Sequence, residues 1–190
     1  MQILALDIGG IPRKWLSIKE AVGYYTMGKV QWTLGDPIKT LYGGIQRKTG
    51  LQSFVKTHSI IAINTLRCTR TKIKQVSLTN RTLFGRDLQI CAYCGKQYNF
   101  RNLSRDHITP RARGGQNTWM NSVTACLDCN SYKANRTPEE AGLELMYTPY
   151  VPSVNEQLLL LNRNILADQM EYLKAGLPNH SRQLNIKNNT

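Results

Sequence analysis

The chain has 190 residues, 41% of them hydrophobic, and a formal net charge of +13. This hydrophobic content supports a folded core and excludes a compositionally disordered chain. Apolar runs stay below the ~18 to 20 residues that cross a bilayer, and the start of the chain lacks the basic region of a signal peptide. We therefore expect a cytoplasmic protein without a membrane partner.

Positive charge is concentrated in the middle third of the chain. Residues 67–136 contain 13 Lys and Arg against 3 Asp and Glu, whereas residues 137–190 contain 4 against 6. A localised excess of this kind indicates a polyanionic partner, with nucleic acid preferred over an anionic membrane.

Residues 1–66 have the pattern of a small α+β unit. The segment QILALDI (2–8) predicts a strand. Ser17 and Glu20 have the spacing of a capping box, and the helix that they begin should end near Gly28.

Two further segments of this unit, residues 29–34 and 58–66, are rich in β-forming residues and predict strands. The residues between them are rich in turn formers, including GDP and YGGIQRKTG. Residues 67–79 are basic without a clear period, and we interpret them as a linker or an arm.

The remainder of the chain divides into two parts. Residues 80–146 form a predicted domain that opens with a short helix and contains four cysteines. Residues 147–190 form the second part, in which Ser153 and Glu156 begin an amphipathic helix that runs to Lys174 and is followed by a polar tail.

Four of the five cysteines form two C-x-x-C pairs, Cys91/Cys94 and Cys126/Cys129, separated by 31 residues. In a chain without an export signal this pairing favours a metal over disulfides. Four thiolates complete the tetrahedral coordination of one Zn²⁺, so the predicted zinc is structural rather than catalytic.

Asp106 and His107 lie between the cysteine pairs. Neutral imidazole is a suitable general base near neutral pH, and a carboxylate is a hard ligand suited to Mg²⁺ or Mn²⁺. Neighbouring residues of a strand point to opposite faces, so the two side chains address one site only where the strand bends or ends.

The order of the remaining motifs is specific. The segments RDHITPRARGG (105–115), TWMN (118–121) and CLDCNSYK (126–133) resemble the HNH endonuclease family, especially the stand-alone proteins of bacteria and their phages. This resemblance implies an α+β fold in which a ββα-metal core carries a zinc held by four cysteines. A small α+β unit would precede this core and a C-terminal helix would follow it.

The resemblance also implies a role for each signature residue. His107 would activate the attacking water, and Asp106 and Asn130 would hold one catalytic Mg²⁺ or Mn²⁺ ion. Asn121 would tie down the loop that carries His107. Four basic residues near these positions are expected to contact phosphates: Arg111, Arg113, Lys133 and Arg136.

The sequence therefore predicts a metal-dependent endonuclease that acts on DNA, with double-stranded DNA as the expected substrate. A homing, restriction-like or phage DNA-processing role is compatible with these residues, in a bacterial or phage-infected cell. The protein could work as a monomer or a homodimer, since one active site cuts one strand. The alternatives are a non-catalytic zinc-dependent module that binds nucleic acid and a metal-dependent RNase.

Overall fold

The computed structural model of the chain describes residues 1–64, 77–162 and 164–185. Most of the predicted linker or arm at 67–79 lies outside the described residues. Where the structure describes the chain, none of the helices is long and apolar enough to cross a membrane.

The described residues form two compact units. The first comprises residues 1–64 together with the described part of Leu161–Gly176, and the second comprises residues 77–160 and 177–185. The C-terminal segment, which was expected to be one helix and a tail, is divided between them.

The first unit contains a four-stranded sheet in the described residues, with the strand order β2-β1-β4-β3. Its strands and first helix are β1 (Gln2–Leu6), β2 (Pro12–Ser17), α1 (Ile18–Thr26), β3 (Val30–Ile45) and β4 (Gln52–Ile63). The predicted capping box is present, because Ser17 Oγ accepts from Glu20 N and the Glu20 carboxylate accepts from Ser17 N. The predictions of the first strand and of this helix are therefore confirmed.

The hairpin of β3 and β4 is longer than predicted. The segments 35–37 and 42–50 are rich in turn formers, but the strands stay paired from Val30↔Ile63 to Ile45↔Gln52. Gly35 and Pro37 are accommodated as irregularities in the register, which an edge strand such as β3 tolerates.

The core of the first unit is formed by buried side chains of its sheet and α1: Ile3, Ala5, Leu16, Ala21, Ile61 and Ile63. Helix α5 (Ala167–Ala175) belongs to the same unit. Gln169 Nε2 donates to the carbonyls of Gln2 and Ser59 at 3.0 and 2.8 Å, so polar bonds attach this helix to the sheet.

The second unit contains the ββα arrangement. Its helices and strands are α2 (Asn80–Arg86), β5 (Leu103–His107), β6 (Ser122–Cys126), α3 (Leu127–Lys133) and α4 (Val154–Leu161). Strands β5 and β6 are antiparallel and pair from Leu103↔Cys126 to His107↔Ser122. The mixed α+β class predicted from the sequence is confirmed.

Arg86 at the end of α2 is fully buried and organises this unit. Its guanidinium donates to the Asp87 carboxylate and to the backbone carbonyls of Trp119, Ser122 and Tyr150, at distances of 2.7 to 3.0 Å. A buried charge is tolerated only when it is paired and hydrogen-bonded, and Arg86 meets both conditions.

The predicted helix from Ser153 to Lys174 is interrupted. Ser153 Oγ accepts from Glu156 N as expected, but α4 ends at Leu161 and α5 begins at Ala167. The Asn162 side-chain oxygen accepts from the backbone N–H of Asn164 at 3.2 Å. Such local bonds compete with helical ones, which explains the break.

Candidate active site

The four cysteines of the two C-x-x-C pairs lie together in the second unit. Their sulfur atoms are within 4.8 Å of one another. Tetrahedral zinc with Zn–S bonds of about 2.3 Å separates its thiolates by about 3.8 Å, so the cluster fits Zn²⁺ with a small adjustment.

Local backbone structure positions each pair. The turn after Cys91 is closed by a bond from Gly95 N to Cys91 O at 3.0 Å, and Gly95 has a φ of +69°, which glycine adopts without strain. Cys126 ends β6 and caps α3, since its sulfur accepts from Cys129 N at 3.4 Å.

The pKa values of three of these thiols are shifted from their ordinary value. Burial raises the pKa of Cys91 and of Cys129. At Cys94, burial is outweighed by hydrogen bonds with the Lys96 backbone and the Tyr98 side chain, which lower the pKa to about 7. Binding of zinc would displace the remaining thiol protons, so the affinity of this cluster for zinc would decrease as the pH falls.

An open pocket of about 360 Å³ lies between residues 105–112, from the segment between the cysteine pairs, and residues 130–135, which follow the second pair. Strand β5 ends at His107, and both His107 and the preceding Asp106 line this pocket, together with Asn130 from α3. Other lining residues are Arg105, Pro110, Arg111, Ala112, Ser131, Lys133, Ala134 and Asn135. The predicted base and the two predicted ligands therefore face one space.

The Asp106 side chain is almost fully buried, and each of its two carboxylate oxygens accepts a hydrogen bond. Lys133 Nζ donates to Oδ1 at 3.0 Å, and the Tyr93 hydroxyl donates to Oδ2. Burial and the bond with Asp106 raise the pKa of Tyr93, so its hydroxyl stays a donor. These two donors fix the orientation of the Asp106 carboxylate at the edge of the pocket.

Asn130 is held by the strand beneath it. Its side-chain nitrogen donates to Ser104 Oγ at 2.8 Å, and Ser104 Oγ donates to the carbonyl of Ala125 at 3.3 Å. Because the amide nitrogen is turned towards Ser104, the amide oxygen is left for the pocket. One carboxylate and one amide oxygen at an open pocket are a donor set that fits a hard divalent cation.

The imidazole of His107 contacts a residue that the sequence motifs did not identify. Its Nε2 lies 3.3 Å from Asn117 Oδ1, which also accepts from Arg105 Nη1 at 2.8 Å. Arg105 can only donate, so the Asn117 atom at this point is the amide oxygen, and His107 must donate to it. This contact is a hydrogen bond when neutral His107 carries its proton on Nε2, which leaves the lone pair on Nδ1.

Asn121 closes the loop that follows His107. Its side chain accepts from Thr109 N at 2.9 Å and donates to the carbonyls of Thr109 and Gln116 at 3.1 and 2.8 Å. Gly115 lies against the same loop, where a Cβ would be 1.8 Å from Thr109 O. The loop therefore requires both the amide and the glycine.

Three of the four residues that are predicted to contact phosphates lie at the surface. Arg111 lines the pocket and is exposed. Arg113 pairs with Glu140 at 2.6 Å, and this bond lowers the pKa of Glu140. Arg136 stacks on the Tyr132 ring at 5.1 Å. An exposed ion pair such as Arg113–Glu140 is weak enough to exchange for a phosphate.

The fourth of these residues, Lys133, does not lie at the surface. Its side chain is fully buried, and its ammonium donates to Asp106 and to the carbonyl of His107 at 2.9 Å. The last turn of α3 directs it inwards because Asp106 requires a compensating charge. In this structure the Lys133 ammonium is thus bonded to partners within the protein, and its contact with a phosphate stays a prediction.

Sequence motifs did not identify Tyr93, Arg105 or Asn117 as part of the site. Arg105 directly precedes Asp106, and residues two apart along a strand share a face, so its proximity to His107 could have been inferred. The contact with Asn117 depends on the path of the loop at 108–121, which no local pattern specifies.

Comparison with known proteins agrees with this geometry. Residues 91–146 match the family model described as HNH endonuclease. The solved structure of the Type II-C Cas9 enzyme from Actinomyces naeslundii is similar, with 23% identity and a TM-score of 0.29. The match covers 53% of this chain and 11% of that one, so the chain spans a small part of the Cas9 length. No curated protein matches the chain. The resemblance predicted from the motifs is thus confirmed for residues 91–146, which match the HNH endonuclease family model.

Proposed function

We propose that this protein is a metal-dependent endonuclease that hydrolyses phosphodiester bonds in double-stranded DNA. The observation that carries the proposal is the pocket lined by His107, Asp106 and Asn130 inside the segment that matches the HNH family. The charge of residues 67–136, with 13 basic against 3 acidic side chains, supports a polyanionic substrate.

His107 is the proposed general base. Its Nε2 is engaged by Asn117, so Nδ1 is the nitrogen that takes the proton of the attacking water. Asn121 fixes the loop that begins after His107 and so maintains the position of the imidazole relative to β5. Proton transfer of this kind contributes ~10² to 10⁴-fold to a rate.

Asp106 and Asn130 are the proposed ligands of the catalytic Mg²⁺ or Mn²⁺. A divalent cation bound there would offset the negative charge of the scissile phosphate and of the leaving 3′ oxygen. Arg111, which lines the pocket, is placed to contact an adjacent phosphate, and Arg113 and Arg136 extend this basic surface. The four cysteines would hold a structural zinc that keeps β6 and α3 together.

The function is tested with supercoiled plasmid and zinc-loaded protein in the presence of Mg²⁺ or Mn²⁺. We expect the native protein to nick the plasmid and His107→Ala to lose at least ~10²-fold of this activity while it retains DNA binding and zinc. His180→Ala is the matched control and should keep the activity.

Two results would favour the alternatives. Binding without nicking by the zinc-loaded native protein would indicate a non-catalytic nucleic-acid module. Cleavage of single-stranded RNA in preference to the plasmid would indicate an RNase. The order of appearance of nicked and linear plasmid separates single-strand from double-strand cutting. Cut sites mapped on a large DNA would distinguish a homing, restriction-like or phage-processing role.

A further inference from the structure

The long hairpin of the first unit extends beyond its sheet. Strand β4 pairs with β1 only at Ile60–Ala62, whereas its pairing with β3 continues to Gln52. Residues 39–57 therefore form a two-stranded ribbon, called here the β3–β4 ribbon. From Lys39 to Ile45 the ribbon extends about 20 Å.

The β3–β4 ribbon carries an excess of positive charge. Residues 39–57 contain four basic side chains and no acidic one. Arg47 and Lys48 lie in the exposed turn at its tip, and Lys39 and Lys56 lie along its exposed strands. Among the described residues, none of these cations forms an ion pair with a carboxylate.

Exposed aromatic side chains accompany this charge. Tyr42 and Phe54 are opposite each other across the ribbon, with ring centroids 6.5 Å apart, and are 70% and 59% exposed. Lys56 is two residues from Phe54 on the same strand and so shares this face. A pair of exposed rings beside unpaired cations is not explained by packing within the first unit.

We propose that the β3–β4 ribbon is a DNA-binding arm that contacts the duplex through residues other than those of the catalytic pocket. A two-stranded ribbon fits the major groove of B-form DNA, and four cations without an acidic neighbour complement its phosphates. Lysine is depleted in protein–protein interfaces, so the same surface is a poor match for a protein partner. This inference rests on the proposed function, because it takes duplex DNA as the substrate.

The arm is tested by the salt dependence of binding to a short DNA duplex, measured by fluorescence anisotropy without added Mg²⁺ or Mn²⁺. Each phosphate contact contributes about 0.9 to the slope of log K against log salt. We expect the double variant Arg47→Ala/Lys48→Ala to reduce that slope by about 2. The variant Lys19→Ala/Lys29→Ala removes the same charge from exposed positions of the first unit outside the ribbon and should leave the slope unchanged.

A second variant, Phe54→Ala, tests the aromatic face, and we expect weaker duplex binding with an unchanged salt slope. Circular dichroism establishes that each variant is folded. The proposal is overturned if the ribbon and control double variants have the same slope. It is also overturned if the ribbon variant loses binding only to vesicles of phosphatidylserine or to single-stranded RNA.

Failure of the arm and failure of the nuclease assignment are distinguishable because binding is measured without cleavage. If the native protein does not nick DNA but the ribbon variant has the reduced slope, the proposed function is contradicted and the DNA-binding arm is supported. Protein that nicks DNA with an unchanged slope in the ribbon variant would contradict the arm alone.

Discussion

The nitrogen of His107 that would take the proton in the proposed mechanism is determined by one hydrogen-bond acceptor. Asn117 Oδ1 accepts from His107 Nε2, and Arg105 prevents the Asn117 amide from turning because a guanidinium cannot accept. His107 can then act as a base through Nδ1 without any rearrangement. Such orientation matters because small misplacements of a catalytic group cost up to about 10²-fold in rate.

Replacement of Asn117 by Ala should therefore lower kcat for plasmid nicking by about tenfold, with little change in KM. NMR spectroscopy then tests whether Asn117 acts by setting the tautomer of His107. Long-range ¹H–¹⁵N correlation spectra of neutral His107 should show the Nε2–H tautomer in the native protein and a mixture in Asn117→Ala. Asn102→Ala, which changes an exposed residue, is the control and should give the same spectrum as the native protein. An unchanged tautomer together with reduced activity would mean that Asn117 acts in another way.

Lys133 occupies the position of a permanent counter-charge to Asp106. Both side chains are almost fully buried, and their charged atoms are 3.0 Å apart. Removal of one partner from a buried ion pair costs about 3 to 5 kcal/mol, because the other charge is left without compensation.

Lys133→Met keeps most of the side-chain volume and should lower the free energy of unfolding of the zinc-loaded protein by about 3 kcal/mol in buffer without Mg²⁺ or Mn²⁺, measured with urea. Added Mg²⁺ should stabilise this variant more than the native protein, since it supplies positive charge beside Asp106. Lys96→Met, at an exposed position of the same unit, is the control. Equal stabilisation of all three proteins by Mg²⁺ would argue against a cation site at Asp106.

Among the elements, β6 and α3 would depend most directly on a zinc ion bound by the four cysteines. Cys126 ends β6 and caps α3, and the same helix carries Asn130 and Lys133 to the pocket. A structural zinc contributes its binding free energy to folding, so the pocket and the cysteine cluster should be lost together.

Removal of zinc with a strong chelator should lower the thermal midpoint of the second unit and abolish nicking, even when Mg²⁺ is in excess. Atomic absorption should give one zinc per native chain and less in Cys94→Ser. Restoration of zinc should restore both properties. A chelated protein that keeps its thermal midpoint would contradict a structural zinc at this cluster.

The elements differ in how far the sequence predicts them. The capping box at Ser17 follows from local hydrogen-bonding residues and is present in the structure, and the short helix predicted at the start of residues 80–146 is present as α2. The β3–β4 ribbon was not predicted, because Gly35 and Pro37 are read as turn formers although an edge strand accommodates them. The break at Asn162 depends on one side chain competing with the helix.

At the scale of the whole molecule, motif order predicts more than local pattern does. The cysteine pairs together with His107, Asn121 and Asn130, in this order, resemble the HNH family, and the match of residues 91–146 agrees. The buried environment of Lys133 could not be predicted in this way. It depends on a contact between α3 and β5 that a charge count does not reveal.

The placement of the catalytic ion is the central claim, and it is tested most directly by anomalous X-ray scattering from crystals of the zinc-loaded protein soaked with Mn²⁺. Data collected on both sides of the manganese edge separate Mn²⁺ from zinc. The account predicts a manganese peak in the pocket, bonded to the Asp106 carboxylate and the Asn130 amide oxygen, with His107 on the same side of the pocket. A manganese peak elsewhere, with none at these two oxygens, would contradict it.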